Sequence, residues 1–128
     1  MNEEEVIRTA MDAWNERGFG AFAEHLAPDV VWHAPPDYPE GDVWRGRDAI
    51  VKAWQAQYDS VFSESHTEIT ELTEAPRGWF VALRAVAKAH GSELEWQSFF
   101  VGRVESELWQ ELWVFNDRDA AERQAGLS

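Results

Sequence analysis

Three runs decide how this chain folds: WFVALRAVAKA at Trp79–Ala89, ELEWQSFFVGRV at Glu93–Val104 and LWQELWVF at Leu108–Phe115. Each is rich in Val, Leu, Phe and Trp, residues that fit a pleated surface, and each is bounded by turn residues. Ala75-Pro76-Arg77-Gly78 precedes the first run, and His90-Gly91-Ser92 and Glu105-Ser106-Glu107 separate the others. Connections this short join antiparallel neighbours, because a parallel return needs a crossover of roughly a dozen residues. From Ser63 onward, Thr67, Ile69, Thr70, Leu72 and Thr73 are interleaved with Glu68, Glu71 and Glu74, which suits a charged, half-exposed strand ahead of the three. The expectation is a four-stranded meander.

Outward from the meander the period changes. Asn2 followed by Glu5 has capping-box spacing, and Val6, Ile7, Ala10, Met11 and Trp14 recur at helical intervals up to Gly18. Phe19, Phe22 and Leu26 mark a shorter helix ended by Pro28, and Val30–Ala34 reads as a strand stopped by Pro35-Pro36. Pro35–Arg45 reads as a loop. Gly46-Arg47-Asp48 opens a third helix with Ile50, Val51, Trp54, Tyr58 and Val61 on one face. A last short helix begins near Asn116 or Asp117 and closes at Gly126, with Asp117 as its N-cap. Helices and strands are segregated, so the class is α+β, a single domain over residues 1–128.

Composition narrows the chemistry. Eleven Lys and Arg against 24 Asp and Glu give a net charge of −13, which repels phosphate backbones and anionic lipid, so neither nucleic acid nor membrane is expected as a partner. The absence of cysteine excludes disulfides, thiolate nucleophiles and sulfur-ligated zinc. His25, His66 and His90 have no metal-ligand spacing, and there is no phosphate loop or nucleophile elbow, so no metal and no cofactor are expected. Asn2-Glu3-Glu4-Glu5 is acidic where a secretory signal carries positive charge, and the default location is cytoplasmic.

Three helices cover one face of a curved sheet and leave a pocket between sheet and helices. On the last strand, Trp109, Trp113 and Phe115 are expected on one side and Leu108, Leu112 and Val114 on the other. Two apolar faces with cover for only one imply a homodimer through the bare face.

Val30-Val31-Trp32-His33-Ala34-Pro35, Trp44-Arg45-Gly46-Arg47-Asp48-Ala49-Ile50 and Glu111-Leu112-Trp113-Val114-Phe115-Asn116-Asp117, in this order and spacing, resemble the SnoaL-like polyketide-cyclase branch of the nuclear-transport-factor-two-like superfamily. The resemblance spans nearly the whole chain. It implies a cone-shaped α+β fold with the N-terminal helices on the concave face of a mostly antiparallel sheet, and a superfamily that holds isomerases, dehydratases, epoxide hydrolases, cyclases and non-catalytic binding modules. Relatives similar to limonene epoxide hydrolase carry Arg and Asp two apart on a strand; here Arg84 is followed by Val86, which argues against that chemistry. Where members resembling ketosteroid isomerase place a carboxylate base, near the end of the first strand, this chain has His33.

His33 is the first candidate base, since imidazole titrates near ~6.5; the competing reading is a strand-end histidine bonded to backbone. Alternation puts His33 and Trp32 on opposite faces. Arg84, Gln97 and Glu111 lie in apolar strands and form either a polar patch that orients a ligand, with Arg84 paired to Glu111, or exposed and interface pairs. Asp37 in the loop after His33 is a candidate orienter or a plain solvated charge. Trp14, Trp32, Trp44, Trp54 and Tyr58 are candidates to line an apolar pocket, against the alternative that they are core. The function expected is a small-molecule protein with a hydrophobic ligand. If it is an enzyme, it is a cofactor-free cyclase or isomerase in which His33 removes a proton beside a carbonyl and Arg84 or a protonated carboxylate such as Glu111 holds the enolate oxygen. The alternative is a binding or dimerisation module without turnover.

Overall fold

A computed structural model describes residues 2–34, 43–57 and 63–127. The order is α1 (Glu3–Arg17), α2 (Phe19–Ala23), β1 (Leu26–His33), β2 (Val43–Arg45), α3 (Arg47–Gln57), β3 (Ser63–Ala75), β4 (Gly78–Ala89), β5 (Ser92–Glu105), β6 (Leu108–Phe115) and α4 (Arg118–Ala125). One sheet runs β2-β1-β6-β5-β4-β3, with β1 parallel to β6 and every other pair antiparallel. The meander, the mostly antiparallel sheet and the α+β class are those expected. No helix among the described residues is long and apolar enough to cross a membrane.

Local chemistry sets the element ends. The Asn2 side chain accepts the Glu5 N–H at 2.8 Å, capping α1, and Gly18 at φ 96° donates its N–H to the Trp14 carbonyl to end it. Asp117 accepts the Ala120 N–H at 3.0 Å and caps α4, and Gly126 closes that helix in the left-handed region.

The strand boundaries differ from expectation in two places. β1 starts at Leu26 and runs through Pro28, where a helix end was expected. Its register with β6 breaks between Leu26 and Val31, and Pro28 and Asp29 are exposed there, so the missing proline N–H falls where no ladder bond is made. Val43–Arg45, expected as loop, is a three-residue edge strand on β1; Trp44 lies opposite Trp32, a pairing too distant for local pattern to reveal.

The two sheet faces have different cover. Val30, Trp32, Val81, Leu83, Phe100 and Leu112 face α1, α2 and α3 and form the main core with Val6, Ile7, Ala10, Phe22 and Ile50. Phe80, Ala82, Phe99 and Val101 face the other way and are closed by Ala121 and Ala125 of α4. The far face is therefore not bare, as three helices alone would leave it; α4 shields part of it. Among the described residues, no polar or charged residue is buried.

A β-bulge reverses the expected alternation in β6. Arg103 pairs with Glu111 but Val104 with Trp109, so Gln110 is extra and Trp109 turns to the helix side, where it is buried beside Leu112. Trp109 thus does not share a face with Trp113 and Phe115. Gly102 makes the bulge possible: a Cβ there would stand 2.2 Å from the Glu111 carbonyl oxygen and 2.8 Å from the Trp109 ring.

Candidate functional site

On the helix side of the sheet, aromatic rings from six elements converge. Trp54 of α3 stacks on Phe19 at 4.5 Å, and Trp14 of α1 meets Trp54 edge-on at 5.1 Å. Trp32 of β1 stacks with Trp44 of β2 at 6.3 Å and packs edge-on against Phe100 at 6.0 Å. Trp14, Trp44 and Trp54 are only half-buried while Trp32 is enclosed, so the cluster has an accessible side. Four of the candidate ligand-binding residues, Trp14, Trp32, Trp44 and Trp54, are brought together. Asp37 and Tyr58 lie outside the described residues.

The polar candidates are elsewhere. His33 sits on the far face, as its alternation with Trp32 requires, stacked on Trp113 at 4.6 Å with the rings 3° from parallel. Its Nε2 is 2.8 Å from Glu111 Oε2, and Arg103 Nη2 stands 3.8 Å from the other Glu111 oxygen. An ionised Glu111 only accepts, so Nε2 carries the proton and a neutral ring keeps its lone pair on Nδ1. The two groups are in direct contact, with no room between them for a substrate atom. They are not a base and an oxyanion holder facing across the aromatic site.

Arg84 does not pair with Glu111, and this corrects the expected pair. Its Nε donates to Glu95 and its Nη1 to Glu68 at 3.4 Å, all three exposed. The Arg84 guanidinium holds the Glu95 carboxyl below its ordinary value, chiefly through that hydrogen bond. Gln97 lies opposite Arg84 and is exposed on the same far face. Neither touches the aromatic cluster, because β4 and β5 present Val81, Leu83 and Phe100 to the helices and these residues to the other side.

An open groove of about 310 Å³ between α1 and β3 is lined by Arg8, Asp12, His66 and Glu68 over Met11 and Ile69. It is a polar surface groove, unlike the expected apolar pocket. Asn15 at its edge donates to the Thr67 carbonyl at 2.7 Å and accepts the Thr67 N–H at 2.8 Å, satisfying the outer edge of β3. Residues that sequence reasoning missed are Arg103, which flanks Glu111, and Arg47 and Trp109, whose buried Nε and Nε1 have no hydrogen-bond acceptor. No periodic signal marks them, because pairing depends on partners remote in sequence.

The fold is the cone-shaped α+β architecture of nuclear transport factor 2-like proteins. A model of the SnoaL-like domain matches residues 7–112, and the chain belongs to that family. No curated protein sequence matches it. Among solved structures it is similar to a nuclear transport factor 2-like protein of unknown function from Burkholderia pseudomallei, at 21% identity over 98% of both chains and a TM-score of 0.77. It also resembles a hypothetical protein of ketosteroid isomerase-like fold from Catenulispora acidiphila in complex with trimethylamine, at 18% identity over 99% of this chain and 96% of that one, TM-score 0.73. A third is TerC co-crystallised with polyporic acid, at 16% identity over 96% and 97% of the chains, TM-score 0.74.

Proposed function

We propose that this SnoaL-like protein binds a hydrophobic, ring-bearing small molecule against the aromatic cluster on the helix side of its sheet. The observation that carries this reading is the convergence of Trp14, Trp32, Trp44 and Trp54 on one side while His33 and Glu111 face the other. Flat aromatic surfaces offer a ring ligand stacking and edge contacts as well as area removed from water. The co-crystals of similar proteins with polyporic acid and with trimethylamine are in keeping with small-molecule binding. The separation of His33 from the cluster favours binding over turnover by His33. Two copies of the chain pair through the part of the far face that α4 leaves open.

Titration of intrinsic tryptophan fluorescence with 2-naphthamide tests the reading. Saturable quenching is expected, weakened about fivefold or more in Trp54→Leu and unchanged in His33→Ala; absence of saturable quenching would remove it. Solvent-deuterium exchange into 2-tetralone separates binder from enzyme. Equal rates with wild type, His33→Ala and buffer are expected, and acceleration that His33→Ala abolishes would establish the proton-transfer alternative instead.

A further inference from the structure

Among the described residues, two buried side-chain nitrogens have no acceptor, Arg47 Nε and Trp109 Nε1, and both are donors. Arg47 shares with several other basic side chains the lack of an ion pair with any described residue. Among the described residues, however, it is the arginine whose Nε is buried without an acceptor, in a chain of 24 acidic residues against 11 basic ones. Arg8, Arg84, Arg103 and Arg118 each have a carboxylate partner. Arg47 is half-buried. A guanidinium partly withdrawn from water without a counter-charge is a cost that an incoming anion relieves.

Its place in the fold connects it to the aromatic cluster. Helical repeat puts Arg47, Ile50, Val51 and Trp54 on one face of α3, and Ile50 is fully buried in the core on which Val51 and Trp54 pack. Just before it, Trp44 stacks with Trp32, and the Gly46 N–H donates to the Val30 carbonyl at 2.8 Å, fixing the start of α3 against β1. Arg47 therefore begins the helix face that carries Trp54 and directly follows the strand that carries Trp44. Trp109, 1% exposed in the same core, is a second donor that no buried polar side chain among the described residues can satisfy.

We propose that Arg47 is the anion-binding residue of this site and that the ligand is an aromatic acid, a flat ring bearing a carboxylate or similar oxyanion. The inference rests on the ligand-binding reading above and names the chemistry of its ligand. The planar fork of a guanidinium matches a carboxylate with two parallel hydrogen bonds, while the ring lies on the tryptophans. The overall charge of −13 opposes long-range capture of an anion, so selection is made at contact, within about one Debye length of ~8 Å in physiological salt.

The test compares two probes of one ring, 2-naphthoate and neutral 2-naphthamide, by tryptophan quenching at neutral pH. Wild type is expected to bind the acid about tenfold more tightly, about 1.4 kcal/mol. Arg47→Met should erase that preference by weakening the acid far more than the amide, and Arg47→Lys should keep part of it. Equal affinities in wild type, or a preference that survives in Arg47→Met, would overturn the inference and leave the binding reading standing. Failure of both probes to bind wild type would remove both. Circular dichroism checks the variants, and if Arg47→Met does not fold, the wild-type preference and Arg47→Lys still decide the matter.

Discussion

His33 shows how much one side chain's direction matters. Its imidazole lies flat on Trp113 and bonds Glu111, and the side chains of His33 and Glu111 are each 25% exposed. Such a pair links β1 to β6. Removing one partner leaves the other half-buried without its hydrogen bond, a loss of about 1–3 kcal/mol. His33→Phe keeps the stacked ring but strands Glu111, and Glu111→Leu strands His33. Chemical denaturation should show each single variant destabilised and the double variant less so than the two losses added. Strict additivity would mean that the contact contributes nothing to stability.

At the scale of elements, the bulge in β6 and the strap formed by α4 position everything on the far face. Gly102→Ala would force a Cβ against the Glu111 carbonyl oxygen and the Trp109 ring, and neither backbone nor enclosed indole can yield cheaply. A loss of about 2 kcal/mol or more is expected, read as a fall of several degrees in melting temperature; an unchanged midpoint would show that β6 adjusts without cost. The strap is held by Arg118, whose guanidinium binds Glu71 through two bonds, one of them 2.9 Å, lies 5.3 Å from the centre of the Phe80 ring, and meets Glu122 at 2.8 Å. Arg118 lowers the Glu71 carboxyl, chiefly by hydrogen bonding. A depressed carboxylate stabilises the fold above its ordinary titration range and loses that contribution as pH falls through its lowered value. Glu71→Gln should therefore flatten the acid limb of the stability profile, with a loss at neutral pH below about 1 kcal/mol because the pair is exposed to solvent. Asp117→Ala, which uncaps α4, should cost about 1 kcal/mol, read as a lower midpoint in chemical denaturation.

For the whole molecule, α4 covers Phe80, Ala82, Phe99 and Val101 but leaves Val31, Trp113 and Phe115 half-buried and Val43 37% exposed on the β2-β1-β6 side. The proposed pairing of two copies would bury this apolar strip. Sedimentation at micromolar concentration is expected to show a dimer, and Val43→Glu with Trp113→Glu a folded monomer. A wild-type monomer would end the proposal.

Much of this was readable locally. The caps at Asn2 and Asp117, the helical stripe of α1 and the three meander runs follow from short-range chemistry, and strand alternation alone separates His33 from Trp32. The sequence by itself determined the helices, the meander strands and, outside the β6 bulge, which neighbours share a face, because side-chain period is a property of a few consecutive residues. Only the tertiary structure decided which of the two faces lies under the helices, that Gln110 bulges and turns Trp109 inward, that Val43–Arg45 pairs with β1, and that Arg84 meets Glu95 while Arg47 Nε is buried with no acceptor among the described residues. Those outcomes depend on contacts between residues far apart in the chain, set by how the whole sheet packs, and no local pattern encodes them.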